Sequence, residues 1–171
     1  MDRRWMFIII IFIIGVVCLY FVATTSDTVG SAIADINKTT ITMPEGFSKG
    51  ASDDGSLELI NKKNEKNIYL KDLGKVDSAK GAFEKKLKSL KSTDEATIIE
   101  NKTSVINNVT TYTVYYLNST DSAPYNRSIS YIYAAGHTFY IKLAGYENID
   151  ELNSDLEFVI STMKPDYKKS Q

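Results

Sequence analysis

The sequence predicts an α+β domain carried on an N-terminal transmembrane helix. An uncharged apolar run fills residues 5–23, β-branched alternating segments joined by short polar turns follow it, and in two later stretches the apolar period changes from 2 to 3.6. Composition is that of a globular chain, with 24% charged residues and a formal net charge of −1, so no basic excess points to nucleic acid.

The run "WMFIIIIFIIGVVCLYFVA" is long enough to cross about 30 Å of hydrocarbon as a helix. Trp5 and Tyr20 stand near its ends, where amphipathic rings favour the interface, and Phe12 lies in the apolar middle. Arg3 and Arg4 precede it, and no Lys or Arg follows until Lys38. The positive-inside rule then puts the N-terminus in the cytoplasm and the remainder outside the cell membrane. The apolar core exceeds a signal-peptide h-region and its exit lacks a small-x-small site, so the reading is an uncleaved single-pass anchor. Cys18, the one cysteine, lies inside the run; Val17 before it is too large for a lipoprotein signal, and a cysteine-based metal site is excluded. A pilin-type helix lacks its processing site and Glu. The exterior holds five N-x-[S/T] glycosylation acceptors, Asn37, Asn101, Asn108, Asn118 and Asn126, which agree with an outside location.

Residues 24–38 are small and polar and read as a linker. The domain proper is expected over 39–166, with 167–171 as a tail. "TTITM" before Pro44 is a first strand. "SLELINK" and "NIYLKDLG" alternate, with Leu57, Leu59, Ile68 and Leu70 inward, and "KKNEK" forms the loop between them. In "DSAKGAFEKKLKSLKS", Ala79, Phe83, Leu87 and Leu90 make one helical face, capped by Asp77 or Ser78; its lysines lie away from that stripe. "ATIIENKTSVINNVTTYTVYYLNS" is two strands turning at Asn107-Asn108. "SISYIYAAG" and "HTFYIKLAG" form a further hairpin. Its loop is read either as Gly136-His137 or as Ala135-Gly136-His137, and the choice decides which way Tyr131 and Tyr133 point. The last helix starts at Asn148 with Glu151 as a capping box, buries Leu152, Leu156, Val159 and Met163, and is stopped by Pro165. Short turns make the sheet mostly antiparallel, covered by the two helices.

The opening "ITMPEGF", the helix "AKGAFEKKLKSL", the hairpin "ISYIYAAGHTFYIKL" and the closing "FVISTMKP" together resemble the PsbP-like fold, over roughly residues 39–165. The resemblance implies an α/β/α sandwich, and an anchor joined to one such domain resembles small membrane-anchored proteins of methanogenic archaea. It is a pattern of elements and carries over no functional residue.

The sequence offers few groups for chemistry. His137 is the lone histidine, placed at a hairpin tip with no partner evident in sequence, so neither a nucleophilic triad nor a zinc site can be assembled. Asp53-Asp54 and Asp94-Glu95 read as loop acids, "SDDGS" lacks EF-hand spacing, and no phosphate-binding glycine loop appears, Gly74, Gly136 and Gly145 being isolated turn glycines. No catalytic residue, cofactor or metal is expected. Tyr131, Tyr133 and Tyr140 on the last hairpin are the candidate binding face, since Tyr offers apolar area with a polar tip. The alternative is that they pack under a helix. The function expected is a non-enzymatic membrane protein in the bilayer, displaying its external domain as an accessory or binding module for an envelope protein. The alternative is binding of carbohydrate or cell-wall polymer through Tyr and Lys surfaces.

Overall fold

Strands and helices fall largely where the apolar periods place them. The computed structural model describes residues 33–50, 55–76, 78–121 and 125–166. The expected membrane span with Trp5, Phe12 and Tyr20 lies outside the described residues, as do Asp53-Asp54, Asp77 and the tail. Among the described residues, no helix is long and apolar enough to cross a membrane.

The chain runs β1 (Ile33–Ile36), β2 (Thr39–Thr42), β3 (Ser48–Lys49), β4 (Ser56–Asn61), β5 (Lys66–Asp72), α1 (Ala79–Lys91), β6 (Ala96–Ile106), β7 (Val109–Asn118), β8 (Asn126–Ala134), β9 (His137–Gly145), α2 (Ile149–Thr162) and β10 (Lys164–Pro165). Seven strands form one antiparallel sheet in the order β3-β4-β5-β9-β8-β7-β6, and β1-β2-β10 form a separate three-stranded sheet.

Two readings of the chain's edges need correction. Residues 33–36 are not linker: they form β1, which pairs with β2 through a turn at Asn37, whose φ is 51°. Ala34 and Ile36 alternate with exposed Ile33 and Asp35 and are buried in the main core, so the strand is held by apolar burial that a short, partly small-residue segment conceals. Pro165 does more than stop the last helix, because Lys164 and Pro165 pair with Thr40 and Thr39 of β2. Proline is tolerated there because β10 is an edge strand.

The caps explain the helix starts. Ser78 Oγ accepts the Gly81 N–H at 2.8 Å, and Asn148 Oδ1 accepts the Glu151 N–H at 2.9 Å. The two helices lie on opposite faces of the large sheet. α1 buries Ala79, Phe83 and Leu90 against Val114, Tyr116, Ile129 and Tyr131. α2 buries Leu152, Leu156, Val159 and Ile160 in the core that holds Ile132, Phe139, Ile141 and Leu143. Tyr131 and Ile132 are neighbours on β8 and enter different cores, as strand alternation requires. The architecture is α+β, a large antiparallel sheet between two helices.

Candidate functional site

Coverage of the two faces is unequal, and this positions the candidate site. On the α2 face the small sheet adds Ala34, Ile36 and Ile41 over Leu57, Leu59, Ile68 and Leu70, so β4 and β5 are covered as well. On the other face α1 packs mainly on β6, β7 and β8. The adjoining surface of β5 and β9 carries Tyr69, Lys71, Tyr140 and Lys142, all half-buried. Pairing sets Lys71 opposite Tyr140 and Tyr69 opposite Lys142. Each tyrosine therefore has a lysine two residues away along its own strand and another across the ladder. The tyrosines meet on one diagonal, their ring centroids 6.1 Å apart and edge to face.

The nearby charges are mixed, with cations in excess: Lys86 and Arg127 lie near Lys142, and Glu58 of β4 stands opposite Tyr69 on the same face. Lys142 makes no ion pair among the described residues. Burial pushes its ammonium below the ordinary lysine range, and the charges of Arg127 and Lys86 push the same way, opposed by Glu58. Burial likewise raises the Tyr140 phenol well above its ordinary range, with smaller contributions from Tyr116, Tyr131 and Tyr69. At neutral pH the Tyr140 phenol is therefore neutral beside the lysines.

Tyr131, Tyr133 and Tyr140 share the α1 face, and the structure separates their roles. Tyr131 is 7% exposed beneath α1, with its ring edge-on to Tyr140 at 5.4 Å. Tyr133, 54% exposed, stands apart at the hairpin end, where with Tyr112, Asn108 and Ser78 it lines a pocket of about 380 Å³. Only Tyr140 belongs to the β5–β9 surface. Its partners Tyr69, Lys71 and Lys142 do not stand out in the sequence by residue type, although the strands repeat one pattern: Ile68-Tyr69-Leu70-Lys71 and Phe139-Tyr140-Ile141-Lys142. Two copies of apolar-Tyr-apolar-Lys in antiparallel register generate the Tyr–Lys checkerboard.

The hairpin register is neither of the two read from sequence. Ala134 pairs with His137, so the loop is Ala135-Gly136, with φ of 49° and 85°. Both positive values fit a type I′ turn, whose twist matches that of the strands; the glycine takes the second position, and alanine accepts the left-handed conformation at the first. Tyr131 consequently faces Tyr140, and Tyr133 faces Thr138. His137 is not a solitary tip residue either. Its Nδ1 lies 3.0 and 3.1 Å from the two carboxylate oxygens of Asp72, whose side chain is 2% exposed. Asp72 also accepts the Asn37 Nδ2–H at 3.1 Å and the Gly74 N–H at 2.7 Å. The group ties together the β1–β2 turn, the end of β5 and the start of β9. Among the described residues no cluster of three His, Cys, Asp or Glu could hold a metal.

A second charged cluster closes the opposite end of the sheet. Lys66 Nζ pairs with Glu147 and, at 2.8 Å, with Asp155 of α2. Burial lowers the Lys66 ammonium, but hydrogen bonds to Asp155 and Glu147, with their charges, more than offset this and hold it above its ordinary value. Because the folded value is raised, this stabilisation is fully present below the ordinary lysine range and is lost as pH rises through the folded value. Lys66→Met is expected to lose about 2 kcal/mol at neutral pH, the scale of charge-assisted hydrogen bonds. Urea titrations should show the gap to the parent narrowing only in strong alkali; a gap that instead closes near neutrality would contradict the pairing.

The five acceptor asparagines divide by environment. Asn101 and Asn108 are exposed on β6 and at the β6–β7 turn. Asn37 and Asn126 already commit Nδ2, to Asp72 and to the Glu147 carbonyl at 2.7 Å. Asn118 is half-buried and accepts the Thr120 N–H at 3.4 Å.

No protein-family model matches the chain, and no curated protein does. Solved structures do match. The solution structure of cyanobacterial PsbP (CyanoP) from Synechocystis sp. PCC 6803 aligns with a TM-score of 0.56 at 14% identity, covering 82% of this chain and 97% of that one. The fold is PsbP-like. A protein from Bacteroides thetaiotaomicron VPI-5482, with a crystal structure at 1.50 Å, aligns at the same TM-score with 15% identity; 82% of this chain covers 49% of it, so this chain spans about half that protein's length. At these identities the likeness is one of fold, and the Tyr–Lys surface of the PsbP-like domain has to be read from its own residues.

Proposed function

We propose that this chain is a non-enzymatic binding module of the cell envelope, tethered by the apolar run at residues 5–23 and presenting its PsbP-like domain outside the membrane. This reading includes the likeness to membrane-anchored proteins of methanogenic archaea, which rests on the order of sequence features. The observation that carries the binding role is the half-sheet of Tyr69, Lys71, Tyr140 and Lys142, which lies beside the ground taken by α1. Of the two occupants the sequence leaves open, this surface favours an envelope polymer. Aromatic faces and ammonium groups at strand spacing suit a chain of polar rings better than an apolar protein anchor. The test is co-sedimentation of the full-length chain, in lipid nanodiscs, with purified envelope material from its own cells. The parent is expected to sediment, and Tyr69→Ala/Lys142→Gln is expected to stay in the supernatant with its far-UV circular dichroism unchanged. Equal sedimentation of the two would place binding elsewhere.

A protein partner is the second reading, and β6 favours it. This 11-residue strand ends the large sheet and exposes Val105 at 69% and Ile99 at 45%. An edge strand with outward apolar residues can accept a partner's strand. A photo-crosslinking residue at position 105 should then capture a neighbour in native membranes, whereas one at position 69 should not.

A further inference from the structure

The structure assigns the Tyr–Lys checkerboard on β5 and β9 to an acidic oligosaccharide, with sugar rings against Tyr69 and Tyr140 and the anionic groups at Lys71 and Lys142. This deepens the polymer reading above and rests on it. Three features of the surface lead there.

The first is charge. Lys71 and Lys142 point from the same sheet face, Lys86 on α1 and Arg127 on β8 add to the field at Lys142, and Glu58 opposes it. Arg127 is occupied by Asp121, whereas Lys71 and Lys142 have no ion-pair partner among the described residues. A half-buried ammonium that makes no direct ion pair favours an arriving anion, because the anion supplies a contact partner at a site already partly desolvated, and Glu58 offsets only part of the positive field.

The second is the company each cation keeps. Each lysine has a tyrosine two residues before it on its own strand and another across the β5–β9 ladder, while Ser56 of β4 flanks Lys71 and Ile129 of β8 flanks Lys142 on the other side. A carboxylated sugar presents an apolar C–H face and a charge at its rim, so one such unit can use an aromatic ring and the adjacent ammonium together. An acidic peptide would use the lysines and leave the rings without a matching group.

The third is repetition. Ile68-Tyr69-Leu70-Lys71 and Phe139-Tyr140-Ile141-Lys142 run antiparallel in register, so the pairing has a local pseudo-two-fold axis and sets out the Tyr–Lys pair twice, with Tyr140 packed in part against the α1 core. Two like subsites at strand spacing fit successive units of a repeating ligand, and linking the units raises the effective concentration of the second once the first is bound.

The experiment uses the full-length chain in nanodiscs and isothermal titration calorimetry with hexagalacturonate, maltohexaose and poly-L-glutamate. Hexagalacturonate is expected to bind, more weakly as salt rises, and maltohexaose to bind at least tenfold more weakly. Lys142→Gln is expected to lose about tenfold in affinity, on the scale of one charge-assisted contact. The double variant Lys71→Gln/Lys142→Gln is expected to lose binding while its thermal midpoint stays within a few degrees of the parent. Equal binding of maltohexaose, or an unchanged affinity in the double variant, overturns the assignment. Poly-L-glutamate binding as tightly as hexagalacturonate overturns it in favour of an acidic peptide. Failure of hexagalacturonate while native envelope material still sediments the chain removes the acidic-sugar assignment and leaves the polymer reading standing; failure of both removes both.

Discussion

Phe139→Ala is expected to destabilise the domain by about 3–5 kcal/mol, the usual cost of truncating a buried aromatic to alanine. Phe139 is 0% exposed in the middle of the α2-side core, on the strand next to β5 and β8. It pairs with Asp72 on one side and Ile132 on the other, so the backbone is held by both neighbouring strands and cannot close on the void. The stability of a domain of this size is about 5–15 kcal/mol, so the loss is a large share of the total. Urea unfolding followed by far-UV circular dichroism should move the midpoint at constant slope. Tyr133→Ala on the same hairpin, with its ring half in solvent, is the internal control and should change stability by no more than about 0.5 kcal/mol. A loss below about 1 kcal/mol for Phe139→Ala would mean that β9 pairs one residue out of this register, since such a slip exchanges its two faces.

That register marks where the sequence is legible and where it is not. Alternation on β4 and β5 and the 3.6-residue period of both helices are strong because one face of each element is apolar, and Leu57, Leu59, Ile68, Leu70, Phe83, Leu152 and Leu156 are all buried as their spacing requires. β1 is hidden because only Ala34 and Ile36 mark its inner face and the neighbouring residues resemble a linker. The hairpin loop misleads because glycine draws the expected turn toward itself. A type I′ loop needs two positive φ values, and Ala135 supplies one of them against its own preference. The burial of Tyr131 beneath α1 follows from the resulting register, and it divides the expected tyrosine face.

The candidate site is half legible for a related reason. Tyr140 and Tyr131 stand out by residue type, but a surface on two strands depends on which strand lies beside β9. In chain order β5 and β9 are separated by a helix and three strands, yet in the sheet they are neighbours. The repeated apolar-Tyr-apolar-Lys tetrapeptide is the available signal, and it acquires meaning only once the strands are known to pair. The same distance in sequence hides the partner of His137, since Asp72 lies 65 residues before it. Local pattern fixes which face a residue takes; its cross-sheet neighbours are decided by the packing of helices and hairpins that no local window contains.

Asp72→Ala is expected to cost about 3 kcal/mol, more than His137→Ala, which should cost about 1 kcal/mol. The asymmetry follows from the geometry. The Asp72 carboxylate is almost wholly enclosed and is the acceptor for the Gly74 N–H, the Asn37 side chain and the His137 imidazole at once. Removing it takes the shared acceptor away from three donors, and the Gly74 amide in particular loses the partner that turns the chain out of β5. Removing His137 leaves the carboxylate with the other donors, and the imidazole site is 17% exposed, so water can replace the lost bond. Asn37 sits in the β1–β2 turn, so Asp72→Ala should also release that turn from the large sheet; amide exchange at residues 37–39 should quicken in this variant and stay near the parent's rate in His137→Ala. Equal losses from the two substitutions, with the turn still protected in both, would contradict the hub role of Asp72.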